Sequence, residues 1–255
     1  MAPLLFLIYI NNITDYLCEE CELFCYADDL AVVSNSRLLS VAVDDMNNQV
    51  KNIQKWAHDN VITLNKIKTK SMLLISRGEP DKIKIMLHTH NCLHDDLDNC
   101  QCTEYIEQVE CFKYLGLTID FNFSWSTHIQ KLTKLLRVIS YYFKYLKYKT
   151  TVKNLKLIYS SLVESHLNYG IQCYGSTSET NLKILTSIQN KIIDQMLPDK
   201  KKHCLSKAEK YNELNILPLK ELYLYRIITK HYLNKNLLLP IKNIRANRVR
   251  IFKHY

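Results

Sequence analysis

Apolar and polar positions change rhythm along the chain, and the changes mark its elements. Pro3 is tolerated in the first turn of a helix, and the Leu4–Ile10 run behind it predicts a buried helix over about residues 3–16. Two short apolar runs, Leu23-Phe24-Cys25-Tyr26 and Leu30-Ala31-Val32-Val33, flank Ala27-Asp28-Asp29 and predict a buried β-hairpin with carboxylates at its turn. Val43, Met46, Val50, Ile53 and Ala57 then recur at helical spacing, as an amphipathic helix packed on that hairpin requires. Residues 71–76 and 82–87 read as strands around a turn at Gly78-Glu79-Pro80. A polar stretch from about 88 to 104 reads as loop, and Cys111–Ile119 as a further strand or hairpin edge.

From Trp125 onward the pattern is helix after helix. Ile129, Leu132, Leu136, Ile139, Phe143 and Leu146 form one apolar stripe. Leu155, Ile158, Leu162 and Val163 begin a second, Leu182, Leu185, Ile188, Ile192 and Leu197 a third, and Leu217–Tyr232 a fourth. The boundary falls near residue 121, so the fold class is α+β: an antiparallel sheet with helices over residues 1–120, then an all-α basic part over 121–255.

Charge sharpens that division. The chain carries a net +9, but residues 1–120 hold −8 and residues 121–255 hold +17. An acidic front suits cations, and a basic back suits nucleic acid. Two differently solvated halves remain the plain alternative. Only four glycines are present, and no G-x-G-x-x-G loop can be built from them. Gly170 and Gly175 are followed by Ser176, where a phosphate loop needs lysine. Nine cysteines, an odd number without a secretion signal, point to an intracellular protein with reduced thiols, in nucleus or cytoplasm. The opening apolar run is too short to span a bilayer, so no membrane partner is expected.

Three acidic pairs occur, Asp28-Asp29, Asp44-Asp45 and Asp95-Asp96, and the first stands apart because apolar strands hold it on both sides. Carboxylates buried at a strand turn cost free energy unless something compensates them, and a hard divalent cation is the usual compensation. Neighbouring strand residues point to opposite faces, which favours one direct ligand, Asp28. A plain surface turn stays open as the other reading. From Phe121 to Val163 there are eight Lys/Arg and no acid, including Lys131, Lys134, Arg137, Lys144 and Lys147, interleaved with Tyr141, Tyr142, Tyr145, Tyr148 and Tyr159. Cations of this kind bind phosphates, and tyrosines stack on bases; a solvated helix face with tyrosines in the core is the alternative. His88, His90, Cys92, His94, Cys100 and Cys102 are zinc-ligand types without a paired C-x2-C and H-x3-H frame. A zinc-dependent interaction module on residues 88–102 is therefore a third, weaker reading.

Phe24-Cys25-Tyr26-Ala27-Asp28-Asp29-Leu30 resembles the central metal-binding motif of reverse transcriptases, and other segments follow in the order found in the non-LTR, LINE-type, jockey-like retrotransposon enzymes. Ala2–Asn11 resembles the end of the template-contacting motif. Trp56, Leu64-Asn65 and Lys68-Thr69-Lys70 look like the next motif, and Phe112–Gly116 with Asp120, Trp125 and His128-Ile129 like the primer-gripping hairpin and the start of the thumb. Tyr159–Leu162, His166–Gly170 and Leu185 with Gln189–Lys191 match the helical region beyond. The resemblance implies a partial polymerase palm followed by a helical thumb and connector. The implied reaction is RNA-templated DNA synthesis from deoxynucleoside triphosphates, with Mg²⁺ at Asp28 and Asp29, Lys68 near the triphosphate, and Tyr114, Leu115 and Gly116 at the primer. The family's first catalytic Asp lies upstream of this segment, and two-metal transfer needs carboxylates from two elements. The isolated chain is therefore expected to be inactive, and a non-catalytic remnant that binds nucleic acid stays open beside the enzyme.

Overall fold

The computed structural model describes residues 2–76, 78–88, 103–233 and 247–253. Contacts divide the chain into two units, Met1–Phe123 with Lys242–Tyr255, and Ser124–Ile241.

In the first unit, α1 (Ala2–Ile10) runs into a 3-10 turn (Asn11–Tyr16), so the expected single helix changes pitch at Asn11. Strands β1 (Cys21–Tyr26) and β2 (Asp29–Ser36) form the expected hairpin, with Tyr26 directly opposite Asp29. Helix α2 (Leu39–Asp59) follows; Met46, Val50, Ile53 and Ala57 of its expected stripe are buried, while Val43 is half-buried and Ala42 beside it takes the buried place. Ala42, Met46, Val50 and Ile53 join Val32, Leu73, Ile83, Ile85, Leu87 and Ile106 in one core cluster, which seats α2 on one face of the sheet, while Ala57 and Trp56 pack with Ile10, Ile13 and Leu30 in a second. Two polar residues on the same helix are fully buried because each is spent on a backbone or amide partner. Gln49 accepts from Cys18 N–H at 2.7 Å and donates to Tyr16 C=O at 3.3 Å, and Trp56 donates to Asn12 at 2.8 Å. These bonds tie the segment entering β1 to α2.

Strand β3 (Lys70–Leu74) is as expected, but its partner is not. Residues 81–85 form no strand: Ile83 N–H is taken by the Gln108 side chain at 2.9 Å and Met86 N–H by Asn47 at 2.9 Å. Pairing begins only at β4 (Met86–His88), which pairs with β5 (Thr103–Tyr105). The expected hairpin around Gly78–Pro80 therefore does not form. Strand β6 (Glu107–Gln108) pairs parallel with β3, and β7 (Cys111–Tyr114) with β8 (Leu117–Asp120) makes a separate hairpin.

The second unit is helical: α3 (Ser126–Leu146), α4 (Val152–Ile158), a π-helical turn (Tyr159–Glu164), α5 (Ser165–Asn168), α6 (Ile171–Tyr174), α7 (Glu179–Met196), α8 (Asp199–Cys204), α9 (Lys207–Leu214) and α10 (Leu219–Leu233). The apolar stripes of α3 and α7 are buried as their spacing predicts. The second stripe is displaced. The π turn adds residues to one revolution, so Leu155, Tyr159, Val163 and Leu167 are buried at spacing four and Leu162 is left exposed. Gly175 is needed for close approach: a Cβ there would meet the Tyr223 ring of α10 at 2.3 Å. Gln189 of α7 organises the centre of the unit. Fully buried, it donates to Tyr159 Oη at 2.8 Å and Leu217 C=O at 3.0 Å and accepts from Leu219 N–H at 3.0 Å, which satisfies the first turn of α10.

One strand departs from the expected all-helical second half. β9 (Asn247–Lys253) belongs to the first unit, where it lies antiparallel between β2 and β3, giving the sheet order β1-β2-β9-β3-β6. A single apolar-basic alternation near the end of a basic chain does not announce its partners.

Candidate metal turn and nucleic-acid interface

The β1–β2 connection is a two-residue turn, Ala27-Asp28, because the ladder closes at Tyr26 and Asp29. Ala27 takes a left-handed backbone (φ 51°), a conformation that costs an L residue about 1 kcal/mol or more. Asp28 is exposed at the tip and Asp29 is half-buried at the start of β2. The expectation of a buried hairpin with two buried carboxylates is corrected accordingly: β2 is buried, but β1 is an edge strand that is exposed beyond Leu23, and the tight turn lifts Asp28 into solvent. Tyr26 and Phe24, opposite Asp29 and Ala31, share that face of the hairpin and are 66% and 50% exposed. The sequence marked these two aromatics only as members of an apolar run; their alternation with Leu23 and Cys25, on the same face as Glu22, was the available signal for an exposed face. Asp28 and Asp29 are hard oxygen donors of the kind Mg²⁺ takes. Among the described residues, however, no cluster of three or more His, Cys, Asp or Glu could hold a metal ion. The donor set here is two carboxylates from one turn.

Lys68 lies exposed in the loop before β3, where its own N–H is held by Asn65 Oδ1 at 3.1 Å. Thr69 beside it is buried and donates back to Asn65 C=O at 2.7 Å, which fixes the loop that presents the lysine. Tyr114, Leu115 and Gly116 form the β7–β8 connection, with Leu115-Gly116 as its two turn residues. Both have positive φ (44° and 80°), as the tight hairpin turn requires, and at Leu115 that conformation is strained. Asp28, Asp29, Lys68 and Tyr114–Gly116 all belong to the first unit.

The basic residues belong to the second unit, on α3. Lys131, Lys134, Arg137 and Lys144 are exposed, and Lys134, Arg137 and Lys144 enter no ion pair among the described residues. Lys147 differs: it pairs with Asp199 at 3.0 Å, which holds the Asp199 carboxyl below its usual range. Tyr141, Tyr142, Tyr145 and Tyr148 are all more than half exposed, so the packed-tyrosine alternative holds only for Tyr159, which is buried against Gln189. The Tyr141 and Tyr145 rings lie 4.8 Å apart with their hydroxyls 2.7 Å apart, and that hydrogen bond raises the Tyr141 pKa. Leu135 and Val138, 40% and 55% exposed, extend the same surface and were not singled out by the sequence. Trp125 and His128 are packed instead, with their rings 6.3 Å apart and His128 5.1 Å from Tyr174. Burial and then Lys131 push the His128 pKa down.

The histidines and cysteines of residues 88–102 lie, apart from the backbone of His88, outside the described residues. No helix among the described residues is long and apolar enough to cross a membrane.

The first unit thus presents a carboxylate turn between paired strands, and the second a basic helix with exposed tyrosines. The family profile of reverse transcriptase (RNA-dependent DNA polymerase) matches residues 1–119. The chain is similar to the RNA-directed DNA polymerase from mobile element jockey of Drosophila melanogaster, with 23% identity over 76% of this chain and 20% of that protein. It is also similar to the probable RNA-directed DNA polymerase from transposon X-element of the same species, with 24% identity over 75% of this chain and 20% of that protein. The jockey polymerase of Drosophila funebris matches at 24% over 72% of this chain and 19% of that protein. The chain thus resembles reverse transcriptases of the non-LTR retrotransposon kind, and it spans about a fifth of the length of these curated relatives. No solved structure matches it.

Proposed function

We propose that the chain supplies the metal-binding turn and a primer–template helix of an RNA-directed DNA polymerase. The carrying observation is the Ala27-Asp28 turn, which lifts one carboxylate into solvent at the end of the β1–β2 hairpin within the segment matched by the reverse transcriptase profile. In this reading the first unit is the palm segment and the helical unit is the thumb and connector. Asp28 and Asp29 hold Mg²⁺, whose bound form stabilises charge on the attacking and leaving oxygens of a phosphoryl transfer. Lys68 neutralises the triphosphate of an incoming deoxynucleotide, and the strained Tyr114–Gly116 turn lies against the primer. Lys131, Lys134, Arg137 and Lys144 neutralise phosphates of the RNA template and DNA primer while Tyr141 and Tyr145 stack. Lys147 is withdrawn from that set by Asp199.

Two carboxylates from one turn fill one arm of the clamp, so the isolated chain extends no primer. An upstream segment carrying the opposing carboxylate, fused in frame before Met1, restores Mg²⁺-dependent synthesis on an RNA template. In that fusion Asp28→Asn abolishes extension and leaves RNA affinity within about twofold, because the helix binds independently of the turn. Extension by the fusion that survives Asp28→Asn would refute the assignment. Binding without chemistry is the second reading, and the α3 surface favours it on its own: it needs no carboxylate at all.

A further inference from the structure

Helix α7 has a polar face as regular as its buried one. Lys183, Thr186, Ser187 and Asn190 recur at helical spacing on the side away from the buried Leu185, Ile188 and Ile192 stripe. With Lys207 at the start of α9 and residues 218–221 at the start of α10, they line a groove of about 520 Å³ that lies wholly within the helical unit. That volume falls in the range of small-ligand sites, about 300–1,000 Å³. The floor is fixed: buried Leu219 gives its N–H to Gln189 at 3.0 Å, and Pro218 C=O accepts from Leu222 N–H at 2.9 Å. Asn190 is held as well, because its Oδ1 accepts from the buried Tyr211 hydroxyl at 2.9 Å. The donors around this floor are unspent. Thr186 Oγ1, Ser187 Oγ and Asn190 Nδ2 donate to no described residue, and Lys183 and Lys207 form no salt bridge among the described residues. Glu179 is taken: Lys220 pairs with it at 2.7 Å and, together with Lys183, holds its carboxyl below the usual range.

We propose that this groove binds a nucleoside monophosphate, through residues that neither the Asp28-Asp29 turn nor the α3 surface uses. Two hydroxyls, an amide and two ammonium groups suit the oxygens of one phosphate, which takes charge-assisted bonds from several donors at once. Three lysines against two glutamates leave the groove one positive charge. A channel that follows a nucleic-acid strand needs a cation for each phosphate it neutralises, so one net charge fits one phosphate and not a run of them. Glu221 forms no ion pair among the described residues, and a carboxylate can only accept. It suits the sugar hydroxyls or base N–H groups of a nucleoside, which a bare phosphate lacks. Pro218 and Leu219 give the apolar floor against which such a ligand excludes water. Because Gln189 and Tyr211 already hold that floor and Asn190, binding has little protein left to order.

The full chain provides the test, by isothermal titration calorimetry in EDTA, so that no divalent ion draws nucleotide to the Asp28-Asp29 turn. Adenosine monophosphate is expected to bind one per chain, with adenosine and inorganic phosphate each weaker by about tenfold or more, since each lacks one set of contacts. Lys183→Gln and Thr186→Val should each weaken the nucleotide about tenfold and leave the melting temperature unchanged, because neither side chain is buried in the core. Glu221→Gln should weaken the nucleotide and leave inorganic phosphate bound no more weakly than before. Absence of binding, equal affinities for the nucleotide and adenosine, or full affinity in both Lys183→Gln and Thr186→Val overturns the proposal. A single-stranded RNA oligonucleotide separates the two sources of phosphate. RNA affinity that is unchanged in Lys183→Gln supports a nucleotide site. RNA weakened as much as the nucleotide makes the groove a strand contact and overturns it. Weakening of the nucleotide by Lys134→Ala with none by Lys183→Gln assigns it to the α3 surface and overturns the proposal while leaving the reading of that surface intact.

Discussion

Salt dependence is where the α3 surface commits to a number. The acid-free run counts eight cations, and if each neutralised one phosphate the slope of log affinity against log salt would be about −7. Packing reduces that figure. Lys147 is held by Asp199 at 3.0 Å, and Lys149, Lys153 and Lys156 lie beyond the end of α3. Lys131, Lys134, Arg137 and Lys144 remain on one helix, spread over about 20 Å at the usual rise. Four contacts give a slope of about −3.6, or a loss of roughly 10²-fold in affinity between 50 and 200 mM salt. Fluorescence anisotropy with a labelled RNA–DNA duplex reads this directly. Arg137→Ala should make the slope shallower by about 0.9, and Lys147→Ala should leave it unchanged. Tyr141→Ala should weaken binding by about 1–3 kcal/mol at constant slope, because stacking releases no counterions. A flat salt response, or equal slope changes for Arg137→Ala and Lys147→Ala, would refute the reasoning.

Three further outcomes concern stability. Gln189→Leu strands three buried partners, Tyr159 Oη, Leu217 C=O and Leu219 N–H, and should cost about 3 kcal/mol in urea denaturation; a loss under 1 kcal/mol counts against the hub. His128 has its folded pKa depressed by burial, so the unfolded chain takes up its proton first as pH falls. The stability it contributes is complete above the unfolded value of about 6.5 and is lost as pH drops below it toward the folded value. The melting temperature should therefore fall across that window, and less so in His128→Asn. Ala27→Gly relieves a left-handed alanine with no packing to lose, so it should be neutral or stabilise by up to about 1 kcal/mol. A marked drop in melting temperature would mean that the turn conformation is misassigned.

The short-range architecture was written in the chain. The Leu23–Tyr26 and Leu30–Val33 runs do pair around Asp28, and the α2 and α3 stripes are buried where their spacing put them, because periodicity reports which face of an element leaves water. The candidate turn was legible for the same reason, as was the basic, tyrosine-rich helix. Periodicity does not report what a face is buried against. Ile83 and Ile85 alternate like a strand and are buried like one, yet their segment is held by the side chains of Gln108 and Asn47, long-range partners that no local pattern names. Leu162 lost its buried place to Tyr159 and Val163 because a π turn shifted the phase of one revolution. Lys147 counts as a free cation in the sequence, and only the approach of Asp199 withdraws it. The central strand is the largest feature that tertiary structure alone decided. Asn247–Lys253 gains its place from backbone hydrogen bonds to β2 and β3, and backbone groups are the same in every residue, so side-chain order cannot announce such a pairing across a whole helical unit.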